Sequence, residues 1–278
     1  MLRLLGIELH KIKYNRASKV LIFTYLGLLT SIALIAAIKF DIGPVKFHLA
    51  EQGIFNFPYI WHFNTFIASI FKLFLLLVIV SMVANEYSNK TIKQNLIDGL
   101  SKKEFILSKF YTVVLFALIS TIFIFAVSMI LGLIYSDYDE LSIIFSDLNY
   151  LVAYFVKLVG FFSFGLFLGM LIKRSAFAVG AMLIWYFAES IGYSIFKWKL
   201  FPDSDIADNI FQFAPLKAMG NLIDEPFSRL NAVKTIANQV GEDLNYDYAV
   251  HWYEIAIVLA WTAVFIYLSY ALLKKRDL

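Results

Sequence analysis

The sequence predicts an all-α, polytopic membrane protein. Six transmembrane helices are expected, with an interfacial helix before the first span, a short cytoplasmic helix after the second and a helical cap on the outer side. Three observations carry this. Of 278 residues, 60% are hydrophobic and 16% charged, and the mean hydropathy is +0.73; soluble domains run at about 45–50% and about 25%. Six runs, near 20–38, 63–84, 106–135, 149–172, 176–196 and 252–273, are apolar enough and long enough to span a bilayer. Finally, 15 of the 24 Lys and Arg lie in segments that those spans place on one side, and only seven lie on the other. By the positive-inside rule, both termini and residues 85–109 are cytoplasmic. The chain reads as one transmembrane domain over 1–278, with no internal repeat or soluble-domain linker.

The first element is MLRLLGIELHKIKYNRASK. Leu2, Leu5, Leu9 and Ile12 recur at helical spacing, with Arg3, His10, Lys11 and Lys13 largely off that stripe. Over 1–18 this predicts an amphipathic helix in the cytoplasmic interface, basic face toward anionic headgroups. The plainer alternative is a flexible basic tail. The run at 20–38 follows five Lys/Arg and is about the length of a span, so it is read as a membrane helix rather than a cleaved signal. The third run exceeds what a bilayer needs and must tilt or project.

Between the second and third spans lies TIKQNLIDGLSKKE, residues 91–104. Thr91 with Gln94, and Ser101 with Glu104, each have capping-box spacing. Asp98-Gly99 between them is a helix stop, because Gly tolerates a left-handed C-cap. The stretch therefore spells a helix of about two turns followed by the start of the third span. A helix that short is marginal on its own in water and needs a surface to lean on. Ile92, Leu96 and Ile97 give it an apolar edge; Lys90, Lys93 and Gln94 give it a polar one.

The outer segment 198–251 is too long for a bare turn. Leu216, Met219, Leu222 and Ile223 predict a short amphipathic helix there, and Asn231–Val240 is read as another. Phe57, Tyr59, Trp61, Trp198, Trp252 and Tyr253 suit an outer aromatic belt.

Recognisable enzyme motifs are missing: no phosphate-binding loop, no H-E-x-x-H, no G-x-S-x-G. The lack of cysteine excludes thiolate metal sites and cysteine nucleophiles. The four histidines fit no ligand spacing, so no metal is expected. Ionisable residues within the spans are more informative, since they face protein or water there. Lys72, Lys157 and Glu189 fall at similar depth in the outer half, and a Lys157–Glu189 pair, joined by Lys72, is expected. It serves either packing or a substrate path. Gly165/Gly169 and Ala176/Gly180 are small-xxx-small spacings that permit close helix contact.

NEYSNKTIKQNLIDGLSKKEFILSKF, residues 85–110, resembles the segment after the second span in permeases of type-2, export-class ABC transporters. Glu86, Thr91, Ser101, Lys102 and Lys109 fall on that family's positions. Lys90 stands where the family often has Gly, and Gly99 where it often has Pro. ELHKIKYNR near the start and YALLKKRDL at the end extend the likeness over the chain. The resemblance implies a permease that pairs with a second permease chain, the same or a close relative. Two copies of a separate ATPase subunit would bind its cytoplasmic side, ATP and Mg residing there and no cofactor here. Residues 85–105 would be the coupling segment, with Ile92, Leu96 and Ile97 on its helix, and the pair would export a substrate from a bacterial cell membrane. The wide aromatic and aliphatic faces suit a lipid, a hydrophobic peptide or a drug-like molecule as that substrate, and equally suit plain contact with lipid. No nucleic-acid partner is expected. A channel or ion-coupled secondary transporter is the alternative.

Overall fold

The computed structural model describes all residues except 1, 36–38, 43–44, 49–52, 203, 231–232, 234–246 and 277–278. The chain is predominantly helical. Twelve α-helices are described: α1 Leu2–Tyr14, α2 Arg16–Ile35, α3 Tyr59–Ile70, α4 Lys72–Ser88, α5 Thr91–Ile97, α6 Lys102–Tyr135, α7 Leu141–Ile144, α8 Asn149–Ile172, α9 Ser175–Ile195, α10 Ile206–Phe211, α11 Pro215–Asn221 and α12 Trp252–Lys275. One departure from the all-α expectation is a short antiparallel hairpin, β1 Lys39–Ile42 with β2 Val45–His48, in the register Lys39–His48 to Ile42–Val45.

Four helical stretches, Lys102–Tyr135, Leu141–Ile172, Ser175–Leu200 and Trp252–Lys275, are long and apolar enough to cross a membrane. The bent pair α3–α4 makes a fifth. The first expected span coincides with α2 as far as Ile35, and residues 36–38 lie outside the described residues. The second expected span is not one helix. It breaks at Phe71, where α3 and α4 meet at 46°. The third is the longest, 34 residues or about 50 Å at 1.5 Å per residue.

Helix α8 is the hub. It packs against α3, α4, α6, α9 and α12, and most of its side chains are buried. Glycine explains part of this closeness. A Cβ on Gly165 would collide with Leu76, and one on Gly160 with Val258, so α4 and α12 approach α8 where side chains are missing. Gly180 has open space around it, so among the described residues it admits no close helix contact at the Ala176/Gly180 spacing. Phe164 of α8 and Phe265 of α12 stack with centroids 4.6 Å apart.

Two sequence expectations change here. The buried side of α1 carries Leu4, Glu8 and Ile12, while Leu9 is exposed and the Leu2 side chain is outside the described residues. The stripe that contacts the bundle is thus rotated from the purely apolar one, because a charged residue, Glu8, sits on it. Phe57 and Trp61 are core rather than belt: both are buried, and the Trp61 indole N–H donates to the Ile144 carbonyl at 2.8 Å. Trp198 and Trp252 are highly exposed.

Candidate functional site

The end of the bundle that holds α1, α5 and the last turn of α12 is the basic end. Helix α4 stops at Ser88. Lys90 takes a left-handed conformation (φ +56°) and turns the chain into α5. This corrects the first capping box: Lys90 is the N-cap, Thr91 lies inside the helix, and its hydroxyl donates to the Glu86 carbonyl at 3.5 Å. Gln94 is exposed. The second box forms in full. The Ser101 hydroxyl accepts from the Glu104 amide at 3.1 Å, and the Glu104 carboxylate accepts from the Ser101 amide at 3.0 Å. Those donors hold the Glu104 carboxyl below its usual range.

The stop between the boxes is a Schellman motif. The Gly99 amide donates to the Leu96 carbonyl at 3.2 Å and the Leu100 amide to the Asn95 carbonyl at 3.0 Å, with Gly99 at φ +97°. The seven residues of α5 are therefore bounded by two left-handed positions. Its apolar edge divides: Ile92 is 2% exposed and enters the core, Leu96 is half-buried, and Ile97 is 75% exposed. Lys90, Lys93, Gln94 and Asp98 share the outer surface with Ile97.

Beneath α5 lies a buried charge cluster. Lys109 of α6 donates to Glu8 of α1 at 2.5 Å and to Glu86 of α4. Lys11 of α1 reaches Glu86 at 2.8 Å and Glu8 at 3.4 Å. Asn95 of α5 donates to the remaining Glu86 oxygen at 3.4 Å. Glu8, Glu86 and Lys109 are 2%, 5% and 0% exposed. Burial works to lower the Lys11 pKa, but the hydrogen bond to Glu86 and the charges of Glu8 and Glu86 outweigh it and raise the pKa. The two buried acids are balanced by the buried Lys109 and by Lys11, whose side chain is 37% exposed. The cluster fastens α1, α4, α5 and α6 at one point. Beside it, an open cleft of about 560 Å³ runs between α1, α4 and α5, lined by Tyr14, Asn15, Glu86, Thr91 and Gln94 among others.

Of the residues singled out in 85–109, Glu86 and Lys109 meet in the cluster, Thr91, Ile92 and Leu96 seat α5, and Ser101 caps α6. Lys102 points elsewhere. It donates to the carbonyls of Lys274 and Arg276, at 3.3 and 3.0 Å. Arg276 in turn donates to the Tyr87 hydroxyl at 2.8 Å and to the Met170 carbonyl at 2.6 Å, tying the chain's end to α4 and α8. Sequence reasoning missed Glu8, Lys11 and Arg276 as partners. The available signal for Glu8 was that it is the lone acid among the first 19 residues, at i+4 from Leu4 and i−4 from Ile12.

The expected Lys157–Glu189 pair is not made. Glu189 accepts the amides of Leu216 and Lys217, at 3.2 and 2.9 Å, and the Trp185 indole N–H at 2.5 Å. Lys157 donates to the carbonyls of Gly220 and Ile223, at 3.3 and 3.4 Å. The two charges bracket α11 instead, the carboxylate at its N-terminus and the ammonium at its C-terminus, each where the helix dipole favours it. The predicted cap helix thus exists, with Met219, Leu222 and Ile223 buried. It is seated among α8, α9 and α12 rather than laid over them. The second cap helix, Asn231–Val240, falls outside the described residues apart from Val233. Lys72 begins α4 at the break, with its ammonium 4.6 Å from the Phe161 ring centroid, and joins neither charge.

Among the described residues no group of His, Asp and Glu could hold a metal. His62 is a structural bridge. Its Nδ1 accepts from Arg229 at 3.1 Å, which leaves Nε2–H to donate to the Asp224 carbonyl at 3.0 Å, and its ring stacks on Tyr150 at 4.4 Å.

None of the curated proteins compared with the chain matches it. A family model described as "Protein of unknown function (DUF2705)" matches residues 29–278, which includes α5, the Glu86–Lys109 half of the charge cluster and α11. On that match over most of its length, the chain belongs to the DUF2705 family.

Proposed function

We propose that the chain is the membrane subunit of an ATP-driven exporter of the ABC type, which depends on a separate ATPase for its energy. One observation carries the reading: a two-turn helix, fixed at both ends, whose outer face is exposed among the described residues and whose inner face is tied through Asn95 to Glu86 of α4, a member of the charge cluster that joins α1, α4 and α6. A pushing or pulling partner that gripped Lys93, Gln94 and Ile97 would move α1, α4 and α6 together through the Glu8–Glu86–Lys11–Lys109 cluster. The resemblance over 85–110 and the lack of a phosphate loop support the same reading. In it, the basic end is cytoplasmic, six spans include α2, and two such chains pair and bind two ATPase copies that hold ATP and Mg. The cargo is a lipid, a hydrophobic peptide or a drug-like molecule.

The test is co-purification with a candidate ABC-type ATPase from membranes that express both. Ile97→Asp and Lys93→Glu alter only the outer face of α5. They are expected to abolish ATPase retention while the chain keeps its level and its melting temperature in detergent. Retention at the unmodified level in the double variant would remove the docking role. A specific feature favours the runner-up, an ion-coupled secondary transporter: the break at Phe71 beside Lys72, since broken helices line the sites of such proteins. Transport that persists without any ATPase and collapses with the ion gradient would select it.

A further inference from the structure

The break between α3 and α4 opens onto a cavity of about 390 Å³ on the side of the bundle away from the basic end. That is within the range of about 300–1,000 Å³ typical of small-molecule sites. Its walls are mostly apolar, from α3, α4, α8, α9 and α11. Two cations reach into it, Lys72 and Lys157, and no Asp or Glu lines it. Among the described residues Lys72 makes no hydrogen bond or ion pair, only the contact with Phe161. Lys157 is buried, and its two carbonyl contacts at 3.3 and 3.4 Å leave one of three donors over. Asp224 acts on Lys157 through space, but it is exposed and pairs with neither lysine. Irregular backbone at membrane depth is tolerated where it lines such a cavity. Two ammonium groups facing one apolar chamber are a poor arrangement unless an anion completes it.

The rim identifies the anion's source. Ile70, Leu73, Leu183 and Tyr186 line the cavity and are 55%, 43%, 47% and 54% exposed. In a bilayer such a rim, between α4 and α9, faces hydrocarbon rather than water. We propose that this cavity is a binding site for an anionic phospholipid, whose phosphate accepts hydrogen bonds from Lys72 and Lys157 and whose acyl chain leaves between α4 and α9. The site does not rest on the export reading, because binding requires no ATPase.

The natural lack of cysteine allows a single reporter. Leu183→Cys, labelled with bimane in the full chain, is reconstituted in phosphatidylcholine nanodiscs, and quenching by nitroxide-labelled phosphatidylglycerol is compared with that by nitroxide-labelled phosphatidylcholine. Half-maximal quenching is expected at about tenfold lower mole fraction of the anionic lipid, since a charged hydrogen bond is worth a factor of about ten or more. Lys72→Gln should erase that preference without lowering the melting temperature, because Lys72 holds no structural hydrogen bond. If that variant proves unstable, Leu73→Trp, which crowds the rim, should erase it instead. Equal quenching by the two lipids in the unmodified site overturns the proposal, as does a preference that survives in both variants. Relief of quenching by millimolar inorganic phosphate would make this a site for aqueous anions and would overturn it too. The basic end is unchanged in every variant, so the difference between variants isolates this cavity.

Discussion

At the residue scale, the backbone of the 85–105 segment rests on two positive-φ positions with opposite sequence logic. Gly99 sits at φ +97° because only glycine holds that conformation without steric cost. Gly99→Ala is expected to lower stability by about 1–2 kcal/mol, read as melting temperature in detergent. Lys90 is at φ +56° despite its side chain. Lys90→Gly should therefore be neutral or stabilising by up to about 1 kcal/mol, and a loss above that would show that the Lys90 side chain supports the turn. The Lys109 ammonium holds two nearly inaccessible carboxylates, so Lys109→Ala should destabilise by about 3–5 kcal/mol. A cycle of Glu8→Gln and Glu86→Gln should be strongly non-additive, because both lean on that one ammonium. Glu86 and Lys109 were each singled out by the resemblance over 85–110, though not as partners of one another. Glu8 was not, because a carboxylate inside a basic amphipathic pattern reads as noise until a buried partner from 101 residues away is placed against it.

At the scale of elements, the short helices were legible and their anchoring was not. The stop at Asp98-Gly99 and the Ser101–Glu104 box are local chemistry, complete within four or five residues, and both formed. The Thr91–Gln94 box failed because α4 ends only three residues before Thr91, and a left-handed Lys90 is needed to reverse the chain in that space. Ser101→Ala should cost about 1 kcal/mol. The Glu104 carboxyl carries a lowered pKa, so its stabilising contribution is present above the ordinary carboxylate range and is lost as pH falls through the folded value. Once the intrinsic pH dependence of amide exchange is divided out, the protection of residues 102–105 should accordingly fall in acid, and protection that falls no more than that of neighbouring turns would contradict this. For α11, the sequence placed Lys157 and Glu189 at one depth and so suggested a pair. It could not show a third helix between them. Glu189→Gln removes the charge but keeps the acceptor, and should loosen α11 by up to about 2 kcal/mol, visible as faster exchange at Leu216 and Lys217 with the rest of the bundle unchanged.

At the scale of the whole molecule, orientation is the outstanding expectation, and the cysteine-free chain makes it measurable. Single cysteines at Lys93 and at Asp139, both at exposed positions, should react with an impermeant maleimide from opposite sides of the membrane, Lys93 only after the cells are opened. Labelling of both from the same side would overturn the inside-positive assignment. By itself the sequence determined that the chain is a bundle of long apolar helices, which ends are basic, and where the two-turn helix starts and stops, because hydropathy, helical period and capping chemistry act over a few residues. Only the tertiary structure decided that α8 is the hub, that the second span is broken at Phe71, that α11 is held by two opposite charges, and that three buried charges and the half-buried Lys11, from α1, α4 and α6, share one site. Those outcomes depend on which helix faces meet. In an apolar chain nearly every face is greasy enough to be buried, so the choice falls to a few glycines that admit close contact and a few charges that must find partners. Their partners lie tens to hundreds of residues away, where no local pattern reaches.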